Sequence, residues 1–108
     1  MRVQITARHC DVPTDVLERT ESQIRSLAKY QARASSADVV YSEEKLTRKV
    51  EVIVHIDGAE AVVAHGEGME FRSALDEVVE RLSRRLRRQR ERRRDHKAPP
   101  LSEGGSGE

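Results

Sequence analysis

The chain contains 108 residues with a formal net charge of +1, and this length is enough for one small domain but not for two. Hydrophobic residues make up 36% of the sequence, and no apolar run is long enough to cross a bilayer. A single cysteine excludes an internal disulfide, and the opening segment MRVQITARH lacks the apolar region of a signal peptide, so we expect a cytoplasmic protein.

The first two predicted elements are a strand and a helix. The segment RVQITAR alternates, with Val3 and Ile5 on one face and polar side chains on the other, which is typical of a half-buried strand. After Pro13, Thr14 is the predicted N-cap of a helix, and apolar residues then recur at helical spacing to about Tyr30. The apolar stripe is thin, so this helix depends on tertiary packing.

Three further strands are predicted in the middle of the chain. QARASSA (31–37) is predicted as a loop, DVVYSEE (38–44) as a short strand and KLTR (45–48) as a turn. KVEVIVHI (49–56) has the strongest strand pattern, because its valines alternate with other side chains. The Asp57-Gly58 pair suits a tight hairpin turn, after which AVVAHGE (61–67) is predicted as the fourth strand.

The last predicted element is a long amphipathic helix that begins near Glu70. Its apolar stripe consists of Phe71, Ala74, Leu75, Val78, Val79, Leu82 and Leu86. The next stripe positions, Gln89 and Arg93, are polar, so the helix is expected to run past the edge of the core. APPLSEGGSGE has the composition of a disordered tail, which divides the chain into a domain at 1–97 and a tail at 98–108.

The order of these elements predicts the fold class. A β-α-β-β-β-α chain of this size is accommodated by a two-layer α+β domain, in which a four-stranded sheet carries both helices on one face. The second face of the sheet, which holds the polar half of each alternating strand, would then meet solvent.

The sequence offers little for metal binding or catalysis. His55 and His65 fall on neighbouring strands but on the order of 10 Å or more apart, and no CxxC or HxxxH spacing occurs. His9 and Cys10 are adjacent, so their side chains point to opposite faces of a strand. No nucleotide-binding or nucleophile motif is present. We therefore predict no metal, no cofactor, no small-molecule substrate and no enzyme activity.

Positive charge is concentrated near the end of the chain. Residues 81–97 contain ten Lys or Arg and two acidic residues, whereas residues 1–80 carry a net charge of −5. Such a run favours a polyanionic partner. A membrane is disfavoured because the apolar stripe ends where the arginines begin, and single-stranded nucleic acid because only three residues are aromatic. No DNA-reading motif is present, which leaves structured RNA recognised by backbone charge and shape.

Several segments resemble one known family. GMEFRSALDEVVERLSRRLRRQRERRR resembles the last helix of the ribosome hibernation promoting factors, also called ribosome-associated inhibitors. VQITARH with VPTDVLE is similar to the opening strand and helix of that family, and VVYSEEKLTRKVEVIVHIDG to its central hairpin. The resemblance covers about residues 2–96 and is to the short form of the family. One departure is Thr20, which stands where the family is expected to have an aromatic residue.

The resemblance implies a fold similar to that of double-stranded-RNA-binding domains, and a function. Such a protein would bind the small ribosomal subunit at the tRNA and mRNA sites, inhibit translation and store idle ribosomes under stress or in stationary phase. It would have no membrane partner and would be a monomer off the ribosome.

The rRNA-binding residues are predicted from helical position. One stripe on the last helix and another on the first helix and the following loop would face a common RNA groove. The predicted set is Arg25, Lys29, Arg33, Arg81, Arg84, Arg85, Arg88 and Arg92. Two alternatives remain open at this point: a general structured-RNA-binding protein, and an adaptor whose basic helix binds an acidic protein.

Overall fold

The computed structural model describes residues 1–97 and the side chains of residues 1–91; the predicted tail at 98–108 lies outside the described residues. Its strands and helices follow the predicted order. They are β1 (Arg2–Arg8), α1 (Thr14–Ser26), a 3-10 turn (Leu27–Lys29), β2 (Ala34–Glu44), β3 (Thr47–Ile56), β4 (Val62–Gly68) and α2 (Phe71–Lys97).

The four strands form one mixed sheet in the order β1-β2-β3-β4. β1 is parallel to β2, because α1 carries the chain back across the sheet between them, whereas β2-β3 and β3-β4 are antiparallel pairs joined by short turns. Both helices pack on the sheet, which confirms the predicted α+β class. α2 packs mainly over β4 and β3, and α1 contacts β1.

The core lies between the sheet and the helices. Val50, Val52 and Val54 of β3 are at most 1% exposed, and the intervening residues of that strand face the opposite side of the sheet. From α2, Leu75, Leu82 and other members of the predicted stripe are completely buried against them. The alternation in β3 and the helical stripe in α2 therefore describe two surfaces that pack against each other.

Three predicted boundaries are wrong. β3 begins at Thr47, so the second half of the predicted turn 45–48 is strand, paired with the end of β2. β2 begins at Ala34, so the second half of the predicted loop 31–37 is strand. These residues have low strand propensity, but β2 is hydrogen-bonded to β1 and to β3, and Ala34 and Ala37 are buried. Thr14 is the first helical residue and not the N-cap: Pro13 occupies that position, and its carbonyl accepts hydrogen bonds from the amides of Val16 and Leu17 at 3.0 Å each.

Candidate nucleic-acid interface

α2 presents two different flanks on either side of its buried stripe. Arg85 and Arg87 lie two residues apart, which places them about 200° apart around the helix. Arg81 and Arg85 contact β4 at the edge of the sheet. On the other flank, Asp76 contacts α1, and Arg87 contacts the residue that follows the 3-10 turn. The basic residues of α2 therefore lie on both sides of the helix and have different surroundings.

The flank toward β4 is hydrogen-bonded to the outer edge of that strand. Arg81 donates from Nη1 to the carbonyl oxygen of His65 at 2.8 Å, and Arg85 donates to the carbonyl oxygen of Val63. One turn further on, Gln89 donates from Nε2 to the carbonyl oxygen of Glu60 at 3.1 Å. β4 is an edge strand, and an edge strand leaves a row of carbonyl groups without strand partners. Arg81 and Arg85, four residues apart on α2, satisfy two of these groups, and Gln89 satisfies the carbonyl of Glu60 just before the strand.

The other predicted residues of α2 are in a different situation. Arg84 and Arg88 are exposed. Arg88 lines a shallow cleft between the helix and the β3–β4 hairpin, together with Glu60, Val63 and Arg85. The backbone at Arg92 continues the helix, but the side chain of this residue lies outside the described part of the structure.

The predicted residues of the first helix and the following loop are spread along one side of the domain. Arg25 pairs with Glu21 across one helical turn at 3.1 Å, and both side chains are about half exposed. Lys29 is exposed at the end of the 3-10 turn. Arg33 is exposed, and its carbonyl accepts a hydrogen bond from the amide of Asp57 at 2.9 Å, which fixes it beside the β3–β4 hairpin.

The structure joins this segment to the flank of α2 that carries Arg87. The Arg87 guanidinium lies over the ring of Tyr30, 5.1 Å from its centroid, and Gln31 donates to the Oε1 atom of Gln89 at 3.2 Å. Lys29 and Arg87 therefore lie at the same ring, whereas Arg33 lies beside the β3–β4 hairpin. Arg81 and Arg85 were expected to face the same groove as the first-helix stripe. They lie on the opposite flank of α2, where they contact the edge of the sheet.

Tyr30, Arg87 and Gln89 were missed as candidate residues. The predicted arginine stripe followed one flank of the helix only, so Arg87 fell outside it. The sequence carries one signal for Arg87: its position in the basic run of the last helix, off the apolar stripe. Which side chain would meet Arg87 depends on the packing, and no spacing in the sequence indicates it.

Other chemistry is sparse in the described part of the chain. No group of three or more His, Cys, Asp or Glu side chains there could hold a metal ion, and no helix there is long and apolar enough to cross a membrane. His55 pairs with Asp38 at 3.0 Å and His65 with Glu51 at 2.9 Å, both on the open face of the sheet. The pKa of the Cys10 thiol is raised, first by burial and then by the carboxylate of Glu43, so the reactive thiolate is disfavoured.

The fold and this surface together define a small α+β domain in which basic residues are concentrated on the last helix. The chain belongs to the family described as Sigma 54 modulation protein / S30EA ribosomal protein, whose sequence profile matches residues 3–94. It is 33% identical over 92 residues to the ribosome hibernation promoting factor of Azotobacter vinelandii, a match that covers 85% of each chain. It is 26% identical over 96 residues to the ribosome hibernation promoting factor of Salmonella typhimurium, covering 89% of this chain and 100% of that protein.

A solved structure has the same fold. A ribosomal subunit interface protein from Coxiella burnetii superimposes with a TM-score of 0.78 at 20% sequence identity, covering 84% of this chain and 99% of that one. The resemblance that the sequence motifs indicated is thereby confirmed: this protein is a homologue of the ribosome hibernation promoting factors.

Proposed function

We propose that this protein is a non-catalytic ribosome hibernation factor, which binds the ribosome, inhibits translation and stores idle ribosomes under stress or in stationary phase. The observation that carries the proposal is the match of residues 3–94 to one family, in which relatives similar to this chain are ribosome hibernation promoting factors. The segregated charge of the chain supports it, because ribosomal RNA is a polyanion and α2 holds most of the excess basic residues.

Within the ribosome, the proposed site is on the small subunit, where tRNA and mRNA bind. Phosphate contacts would come from the exposed cations of α2 and of residues 25–33, because guanidinium groups match phosphate oxygens with parallel donors. Arg81 and Arg85 retain a share in this surface, since each guanidinium has five N–H donors and the β4 edge uses one. The proposed contacts are Arg25, Lys29, Arg33, Arg81, Arg84, Arg85, Arg88 and Arg92.

The domain responsible is proposed to be residues 1–97, with residues 98–108 as an appended tail that adds no affinity for RNA. Glu103 and Glu108 of this tail would be repelled by phosphate. The protein would act in the cytoplasm, as a monomer when it is off the ribosome.

A binding competition tests the proposal. Purified small subunits are mixed with the protein and sedimented, with and without saturating tRNA, and the bound fraction is measured at several salt concentrations. We expect co-sedimentation that falls with salt and is displaced by tRNA, together with inhibition of translation in a reconstituted system. Binding that tRNA does not displace would indicate a general structured-RNA binder. A complex in cell extract that survives RNase digestion would indicate a protein adaptor.

A further inference from the structure

Two cations of separate elements share one aromatic ring. The Lys29 Nζ atom lies 5.2 Å from the centroid of the Tyr30 ring, and the Arg87 Cζ atom lies 5.1 Å from the same centroid. Both distances are within the range of cation–π attraction. Lys29 ends the 3-10 turn, whereas Arg87 comes from α2, so the ring joins positive charges that are far apart in the sequence.

The surrounding hydrogen bonds hold these groups in place. The amide of Tyr30 donates to the carbonyl oxygen of Leu27 at 2.9 Å, which fixes the backbone that carries the ring. Gln31 is only 5% exposed, and its side chain bonds Gln89 of α2, two residues after Arg87. Arg87 is further fixed by a hydrogen bond from Nε to the carbonyl oxygen of Ser83 at 3.3 Å. The Gln31–Gln89 bond thus joins the turn to the helix next to the ring–guanidinium contact, and the other two bonds fix the turn and the arginine separately.

We propose that Lys29, Tyr30 and Arg87 form a phosphate-binding clasp for the ribosomal RNA backbone, in which Tyr30 is a positioning residue. The inference rests on the proposed function and names a subsite for it. The Arg87 guanidinium lies over the ring and uses its Nε donor for the carbonyl oxygen of Ser83. Its terminal N–H groups make no hydrogen bond to the described residues, and these are the donors that bind phosphate oxygens. The ring and the Ser83 carbonyl therefore position Arg87 while leaving donors for phosphate.

The electrostatics of the clasp also favour an anion. Among the described side chains, no carboxylate lies within 4.0 Å of Lys29 Nζ or of the Arg87 guanidinium. Both cations are exposed, and two positive charges around one ring repel each other. A phosphate between or beside them relieves this repulsion. Arg81 differs in this respect, because it bonds both the carbonyl of His65 and the carboxylate of Glu77.

The test separates charge from positioning with four single variants and one double variant in the full chain. Binding to purified small subunits is measured across a salt series for Tyr30→Phe, Tyr30→Leu, Arg87→Ala and Arg87→Lys. Arg72→Ala is the matched control, because it removes an exposed arginine from the first turn of α2, about 22 Å along the helix from Arg87. Thermal melting of each variant shows whether the fold is kept.

We expect Tyr30→Phe and Arg72→Ala to bind like the wild type, since the first keeps the ring and the second lies outside the clasp. Tyr30→Leu should weaken binding roughly two- to fivefold, the value of an exposed cation–π contact. Arg87→Ala should weaken it roughly five- to tenfold and reduce the salt slope by about one. Arg87→Lys should keep the salt slope but bind more weakly than the wild type. Tyr30→Leu combined with Arg87→Ala should bind no worse than Arg87→Ala alone.

Wild-type affinity in Arg87→Ala overturns the clasp, whether or not the Tyr30→Leu protein remains folded. Additive losses in the double variant overturn the positioning role of Tyr30. A wild-type protein that fails to bind small subunits overturns the proposed function and the clasp with it, whereas wild-type binding with unaffected variants overturns the clasp alone.

Discussion

The hydroxyl groups of Thr20 and Tyr41 lie 2.5 Å apart in the core, between α1 and β2. Both side chains are 0% exposed. Thr20 donates its own hydrogen to the carbonyl oxygen of Val16 at 2.6 Å, so the Tyr41 hydroxyl is the donor to Thr20. The Tyr41 ring also packs edge-to-face on Phe71, with centroids 5.4 Å apart. This contact explains why a threonine is buried at a position where an aromatic residue was expected. The Thr20 hydroxyl oxygen accepts a hydrogen bond from the Tyr41 hydroxyl.

The direction of these hydrogen bonds predicts which partner is more costly to remove. Thr20→Val keeps the shape but leaves the buried Tyr41 donor without its acceptor, which should lower the free energy of unfolding by about 1–3 kcal/mol. Tyr41→Phe leaves Thr20 bonded to Val16, so its cost should be only about 0.5–1.5 kcal/mol. Urea unfolding measures both. A Tyr41→Phe protein less stable than Thr20→Val would contradict this assignment of donors.

A dependence of stability on alkaline pH should follow from the same tyrosine. Burial is the main cause that raises the pKa of Tyr41 above its ordinary value of 10.0. The unfolded tyrosine therefore loses its proton first as the pH rises. Stability from this group should be complete below pH 10.0 and should decline above it. Urea unfolding between about pH 8 and 11 should show a shallower decline for Tyr41→Phe than for the wild type; equal declines would remove Tyr41 as the cause.

The sequence was sufficient for the element order and for most of the core. The alternation of valines in β3 and the apolar stripe of α2 predicted the buried residues correctly, because each pattern extends over several turns or residue pairs. The start of β2 could not be predicted in this way. Ala34 and Ala37 are small residues with weak strand propensity, and they become strand only because β1 and β3 pair on either side of them.

The prediction of the interface was incomplete for the same reason, because the contacts between elements depend on how they pack. Counting residues around a helix identifies which arginines share a flank, but it does not reveal what lies beside that flank. Arg85 lies next to the unpaired edge of β4, and Arg87 lies next to Tyr30. Both contacts join segments more than 20 residues apart in the sequence, so they emerge only when the layers are assembled.

Gly66 marks the closest approach of β4 to α2, and it predicts a large effect of a small substitution. A Cβ atom at this position would lie 2.9 Å from the amide nitrogen of Val78 and would also clash with the carbonyl oxygen of Ala74. Both are backbone atoms on the buried face of α2, so the helix itself must shift. Gly66→Ala should lower the free energy of unfolding by about 1–3 kcal/mol.

Gly68→Ala is the comparison for this variant, because its Cβ would lie 3.0 Å from the Ser73 side chain and 3.2 Å from the backbone nitrogen of Ala74. These contacts are tight but less severe than those at Gly66, so the loss of stability should be smaller. Thermal melts rank the two substitutions. Equal melting temperatures for Gly66→Ala and the wild type would mean that α2 does not pack on β4 as closely as described.

Arg85 and Arg88 should separate stability from RNA binding. Arg85 bonds the carbonyl of Val63 at the sheet edge, whereas Arg88 is exposed and has no hydrogen bond to the described part of the chain. Arg85→Ala should therefore lower the free energy of unfolding by roughly 0.5–1 kcal/mol, a value reduced by solvent exposure, while Arg88→Ala should change it by less than about 0.5 kcal/mol. Each substitution should weaken binding to small subunits and make its salt slope shallower, because each removes a positive charge from the proposed surface.

The comparison is sharpest when unfolding and binding are measured on the same preparations. Arg85→Lys is the control: it keeps the charge, but its ammonium group has neither the planar fork nor the reach of the guanidinium. It should retain most of the RNA affinity and lose part of the stability that the Val63 contact provides. If Arg85→Ala unfolds at the wild-type urea concentration, the hydrogen bond to β4 contributes nothing to stability.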